Sequence, residues 1–151
     1  METKVIDAVK VIKFSTKATL KSLNQFTGVM PDKLMKKANE LGVADGWPQI
    51  WQYSGSDGRP DTEFQLDICV PVTSFDGDPG EFSFCELPAV RCLSEMHCGA
   101  WMEMGRTYQV MMEEIAKKSM GFTGVSREIY INCDFENQQN CVTELQIVLK
   151  D

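Results

Sequence analysis

The residues of this chain with the greatest chemical capacity are acids and aromatic rings set two apart in strand-like stretches. Glu128 and Tyr130 form one such pair, Glu144 and Gln146 a second, and Gln65 and Asp67 a third. Side chains alternate across a strand, so the members of each pair share a face. Leu145, Ile147 and Leu149 oppose Glu144 and Gln146, and Ile129 and Ile131 oppose Glu128 and Tyr130. Phe64, Leu66, Ile68, Val70 and Val72 likewise oppose Gln65, Asp67 and Cys69. The pattern predicts an apolar face packed on helices and a mixed face of carboxylates, amides and rings. A shift of 77 positions places Asp67 on Glu144 and Tyr53 on Tyr130, which adds Trp51 and Tyr53 to the mixed face. Carboxylates beside rings suit a cationic or polarised organic ligand, because rings supply π faces and apolar area while the acid supplies countercharge. A solvated sheet face has a similar composition, and parity alone weighs the two equally.

The elements that must position these residues repeat along the chain. Gly28 and Gly99 each follow a strand-like stretch, 14–26 and 82–96, and aligning them sets Ala18 on Ala89 and Thr19 on Val90. A helix follows each glycine. In the first, Pro31 and Asp32 suit the opening turn, Leu34, Met35, Ala38 and Leu41 recur at helical spacing, and Gly42 closes it. In the second, Met104, Tyr108, Met111, Met112 and Ile115 form the stripe and Gly121 closes it. A methionine-rich stripe reads as core filling. Two strands complete each unit, 49–54 with 63–73 and 127–133 with 141–150. The prediction is an α+β fold, a pseudo-twofold duplication of a β-α-β-β unit. Its antiparallel sheet carries two helices on one face and a ligand cleft on the other. One domain covers 1–151, with repeat 1 at about 5–74, a turn-rich linker at about 75–81 and repeat 2 at about 82–150.

Bulk properties exclude several classes. The chain has 151 residues, 43% of them hydrophobic and 25% charged, a globular balance. A net charge of −7 disfavours nucleic-acid recognition, which needs a basic face. No apolar run approaches the roughly 20 residues that span a bilayer. The charged start Met1-Glu2-Thr3-Lys4 leads into no apolar segment, so no signal peptide is expected and the protein is placed in the cytoplasm. There the six cysteines stay reduced. They form no C-x-x-C pair and have one histidine for company, so neither a metal site nor a cofactor is expected and the thiols are assigned to the core. Cys98 beside His97 makes no catalytic pair, because adjacent strand residues point to opposite faces. His97 is expected to be a hydrogen-bonded structural residue, and Trp47, next to Pro48, a packing residue.

Several segments carry a family likeness: Glu128-Ile129-Tyr130, Thr143-Glu144-Leu145-Gln146-Ile147, Leu87-Pro88-Ala89, His97-Cys98-Gly99-Ala100-Trp101 and Asp67-Ile68-Cys69-Val70-Pro71-Val72. In their order and spacing the chain resembles the GyrI-like, or AraC-type effector-binding, small-molecule domain over nearly its whole length. It departs from the family at Gly99-Ala100-Trp101, where a G-P-Y type triplet is common. The resemblance implies a duplicated fold with a ligand cleft, and a buried glutamate, here Glu128, facing lipophilic cations. Tyr130 then lines the cleft, with Trp51, Tyr53 and Trp101 as stacking walls and Asp67 and Glu144 as further acids. It implies a stand-alone binding module without direct DNA binding, related to sensor halves of transcription regulators and to multidrug recognition, with oligomerisation left open. Two alternatives accompany it. One is a hydrolase of electrophilic small molecules, with Glu128 as general base and Tyr130 polarising the leaving oxygen. The other is a gyrase-inhibitor-like domain that engages a protein.

Overall fold

The computed structural model describes residues 1–23, 25 and 28–151. Along the chain run β1 (Glu2–Ile6), β2 (Val9–Ala18), α1 (Met30–Glu40), β3 (Ile50–Ser54), β4 (Phe64–Pro71), β5 (Ser83–Leu87), β6 (Val90–Cys98), α2 (Met104–Lys117), β7 (Phe122–Asn132) and β8 (Val142–Leu149). Single 3-10 turns sit at Trp101–Glu103 and Gln138–Asn140. The eight strands form one antiparallel sheet of order β1-β6-β8-β7-β3-β4-β2-β5. The α+β class and the duplication agree with the sequence.

The ladders define the repeat. Moving the Val11–Pro71 pair onto Cys92–Val148 carries β2 to β6 by 81 positions and β4 to β8 by 77. The second shift is the one read from the sequence. The first replaces the shift of 71 implied by setting Gly28 on Gly99, because the strand expected at 14–26 runs instead over Val9–Ala18. The end of that expected strand, at Phe26, lies outside the described residues. The expected strand 82–96 breaks at Pro88-Ala89 into β5 and β6, where Pro88 has no N–H to continue a ladder.

Each unit therefore opens with a short extra strand, and the two units exchange them: β1 pairs with β6, and β5 with β2. Only Asp7 and Ala8 join β1 to β2. Three Cα steps reach at most about 11 Å, so strands from opposite ends of the sheet are drawn together and the sheet curls into a half-barrel.

Both helices pack on one face. Leu34 and Ala38 of α1 meet Ile12, Leu66 and Ile68, while Met111 and Ile115 of α2 meet Leu93, Leu145 and Ile147. Each fully buried aliphatic side chain contributes roughly 1.5–3 kcal/mol of transfer free energy. Gly42 ends α1 with φ +71, as expected. The end of α2 differs from expectation: Ser119, not Gly121, takes the left-handed conformation, with φ 52. Met112 is exposed on the flank of its helix.

Strand parity held for β4 and β8 but reversed for β3 and β7. Residues directly opposite in an antiparallel ladder share a face. Trp51 pairs with Ile68, Tyr53 with Leu66 and Glu128 with Leu145. Trp51, Tyr53, Glu128 and Tyr130 therefore stand on the helix-bearing face. Ile129, expected there, packs instead beside Ile50, Val11, Cys69 and Leu87 on the opposite face, together with Asp67 and Glu144. The cause is that β3 and β7 run between the two helices, where no helix stripe demands an aliphatic partner. Cys69, Cys92 and Cys141 are buried thiols as expected, whereas Cys98 and Cys133 are exposed. Trp47, expected to pack, is 70% exposed.

Candidate functional site

Helix α1 covers β2 and β4, and α2 covers β6 and β8. The central pair β3–β7 forms the floor between them. Glu128 sits on this floor, 5% exposed. Its Oε1 accepts hydrogen bonds from the Tyr53 hydroxyl at 2.9 Å and the Tyr130 hydroxyl at 2.6 Å, and its Oε2 accepts from the Tyr108 hydroxyl at 2.7 Å. The chain has three tyrosines, and all of them donate to this one carboxylate. Two come from sheet strands and the third from α2.

Burial pushes the Glu128 carboxyl above its usual range, and the three phenols pull against it. Burial, and then the charge of Glu128, push all three tyrosine hydroxyls well above their usual value. They remain protonated donors at neutral pH. A desolvated carboxylate held by three donors is a preorganised countercharge in a medium of low dielectric.

Aromatic rings extend from the acid to the surface. Trp51 meets Tyr130 edge-on at 5.4 Å, Trp101 meets Tyr130 at 6.3 Å, and Phe135 meets Trp101 at 5.2 Å between centroids. Trp51 Nε1 donates to Gln49 Oε1 at 3.4 Å, and Gln49 Nε2 donates to the Pro31 carbonyl at 3.4 Å, tying the floor to α1. His97 is hydrogen-bonded through both ring nitrogens, as expected. Its Nε2 donates to the Ala100 carbonyl at 2.8 Å, and its Nδ1 lies 2.8 Å from Thr107 Oγ1. It thereby holds the residues next to Trp101 and Tyr108.

Five of the residues singled out from the sequence come together here: Glu128, Tyr130, Trp51, Tyr53 and Trp101. Asp67 and Glu144 do not. Asp67 accepts from Ser15 Oγ and lies 3.7 Å from Lys13 Nζ. Glu144 accepts from Ser94 Oγ and Gln146 Nε2, at 2.8 and 2.9 Å, and pairs with Lys4 Nζ at 2.8 Å. Burial pushes the Glu144 carboxyl up, but these donors outweigh it and hold it below its usual range. Between these two clusters lies Arg127, 2% exposed. Its Nε donates to Gln52 Oε1 at 2.8 Å and its Nη2 to the Pro88 carbonyl at 3.2 Å. Both acids lie on the far side of the sheet from Glu128, each with its own lysine and hydroxyl partners. Tyr108, read as core filling, is the site residue the sequence concealed. The available signal was that it is the only tyrosine outside the strands.

Two surface cavities, about 390 and 440 Å³, lie away from Glu128. The first is bordered by Lys33, Lys37 and Phe82, and the second by Trp47, Ile50 and Ile129.

Comparison with solved structures decides the architecture. The C-terminal domain of EcmrR superposes with a TM-score of 0.76 at 16% identity, covering 99% of this chain and 96% of that one. The chain has the GyrI-like fold. This GyrI-like chain also matches SAV2435 bound to tetraphenylphosphonium, with a TM-score of 0.69 at 12% identity over 99% of this chain and 94% of that one. It matches EcmrR in a complex with DNA at 0.79 and 15% identity, spanning 99% of this chain but 57% of that one. A hydrolase from Listeria innocua shares the fold at 0.61 and 13% identity, with 99% and 92% of the two chains covered. No family model and no curated protein matches the sequence. Among the described residues no helix is long and apolar enough to cross a membrane.

Proposed function

We propose that this GyrI-like chain is a binding domain for cationic, amphipathic aromatic compounds, held on the β3–β7 floor against Glu128. The observation that carries this is the convergence of Tyr53, Tyr108 and Tyr130 on one buried carboxylate. A buried carboxylate without a cation is costly, and phenol donors only partly replace water. A soft organic cation supplies the missing charge while its rings pack on Trp51, Trp101 and Tyr130. The tetraphenylphosphonium bound by SAV2435, which shares the fold, is a ligand of this class. The whole chain acts as one such domain and does not itself contact DNA. The test is calorimetric titration with tetraphenylphosphonium. Glu128→Gln should weaken binding at least tenfold, and unchanged affinity in that variant sinks the assignment.

A second reading rests on the same geometry and on the hydrolase fold neighbour. A carboxyl raised by burial beside phenol donors has the components of general acid–base chemistry. Glu128 would take a proton from water while Tyr130 donates to the leaving oxygen. Turnover of an epoxide probe, lost in Glu128→Gln and in Tyr130→Phe, would favour it over simple binding.

A further inference from the structure

The ring series beyond Glu128 contains a hydrogen-bond donor that the protein does not use. Trp101 Nε1 is buried, and no acceptor among the described residues reaches it. The indole belongs to the site, because its ring packs edge-on against Tyr130, whose hydroxyl donates to Glu128. It is also held in place. His97 Nε2 donates to the carbonyl of Ala100, the residue before it, and Phe135 covers its outer side. Phe135 itself is 79% exposed, so the series Phe135–Trp101–Tyr130 runs from solvent to the acid. A desolvated N–H without an acceptor is unfavourable, so a ligand that reaches it by displacing the exposed Phe135 ring gains by offering one.

We infer that Trp101 is a specificity-determining residue of this site, and that its preferred ligands are aromatic cations carrying a hydrogen-bond acceptor beside the charged centre. The inference rests on the cation-binding assignment and narrows it. The carboxylate recognises charge, the rings recognise flat apolar area, and Trp101 Nε1 recognises an ether, carbonyl or ring-nitrogen acceptor. Pockets that place a buried donor discriminate more sharply than pockets that sense apolar volume alone, because a ligand lacking the acceptor leaves the donor unpaired.

The test compares tetraphenylphosphonium, which has no acceptor, with its ortho, meta and para methoxycarbonyl derivatives, which keep the cation and add an ester. Binding of each is measured by calorimetry to the wild type, to Trp101→Phe and to Glu128→Gln. Trp101→Phe keeps a ring and removes the N–H. At least one ester isomer should bind the wild type roughly five- to tenfold more tightly than the parent cation. Trp101→Phe trims a stacking wall and should weaken the parent cation as well, so the readout is the ratio of ester to parent affinity, which that variant should bring to about one. Glu128→Gln should weaken parent and esters alike and leave their ratio intact. If every ester binds no better than the parent, or the preference survives in Trp101→Phe, the role of Trp101 is overturned while cation binding stands. If no phosphonium binds the wild type, both fall.

Discussion

Trp51 and Glu128 lie directly opposite each other in the β3–β7 ladder, and the 77-residue shift that relates the second strands of the repeat carries one onto the other. The local twofold axis of the duplicated fold therefore passes between them. At the point where the halves are most alike, one copy supplies an indole and the other a carboxylate. The flanking positions stay matched, with Tyr53 related to Tyr130, and both hydroxyls turn toward the same Oε1. A symmetric frame has been made into an asymmetric charge site by one residue.

Glu128 should make stability depend on pH with a definite sign. Its carboxyl is raised in the folded state. The stabilisation from its protonated form is complete below the unfolded value and is lost as pH rises through the folded one. Thermal melts of the wild type and Glu128→Gln between about pH 4 and pH 8 should show the variant gaining relative to the wild type with rising pH. The gain should appear as a melting-temperature difference that shifts steadily in favour of the variant as pH rises. A constant gap across the range contradicts a raised carboxyl.

Among the described residues Tyr108 is the one donor to Glu128 Oε2, and it is the one tyrosine that reaches the acid from a helix. Tyr108→Phe should cost roughly 1.5–3 kcal/mol in urea unfolding, the range for a hydrogen bond to a charged group. It should also push the Glu128 carboxyl still higher, steepening the pH dependence. A loss below about 0.5 kcal/mol with no change in pH profile would place the hydroxyl outside the network.

The separation of the acids onto two faces is testable by contrast. Asp67→Asn weakens the Lys13 and Ser15 contacts and should lower the melting temperature while leaving phosphonium affinity within about twofold. A loss of affinity comparable with that of Glu128→Gln would bring Asp67 back into the site.

Arg127 spans β7, Gln52 of β3 and the Pro88 turn with neutral acceptors. Arg127→Ala removes a large buried side chain and orphans both acceptors, at a cost of about 3 kcal/mol or more. Arg127→Met fills much of the volume and avoids burying a charge, so it should cost less. Equal losses in the two variants would mean that the guanidinium hydrogen bonds, not its volume, dominate.

Ser119 holds a left-handed φ of 52 at the end of α2. Glycine takes that conformation without a Cβ penalty, so Ser119→Gly should stabilise by about 0.5–1 kcal/mol. Thermal melts decide it, and destabilisation would show that the Ser119 side chain matters more than its backbone.

Much of this architecture was legible from the residues. Helical spacing found Leu34–Ala38 and Met111–Ile115, alternation found β4 and β8, and the 77-residue shift survived in the ladders. The lead strands were not legible. β1 and β5 complete themselves on the opposite unit, and such long-range exchange leaves no local period. The pairing of Glu128 with Tyr130 on one face was local and was read correctly. The face carrying the helices was not local, because β4 is buried on both sides and its neighbours β3 and β7 could have packed either way by parity. Tyr108 was hidden for a related reason, since in a methionine-rich stripe a phenol looks like any other core ring. The sequence by itself determined the duplication, the fold class and the acid–aromatic composition of the strands, because these follow from short-range periodicity. Tertiary structure alone decided that three tyrosines from separate elements meet on Glu128 while Asp67 and Glu144 turn away, because strand register and helix docking fix which side chains share a space.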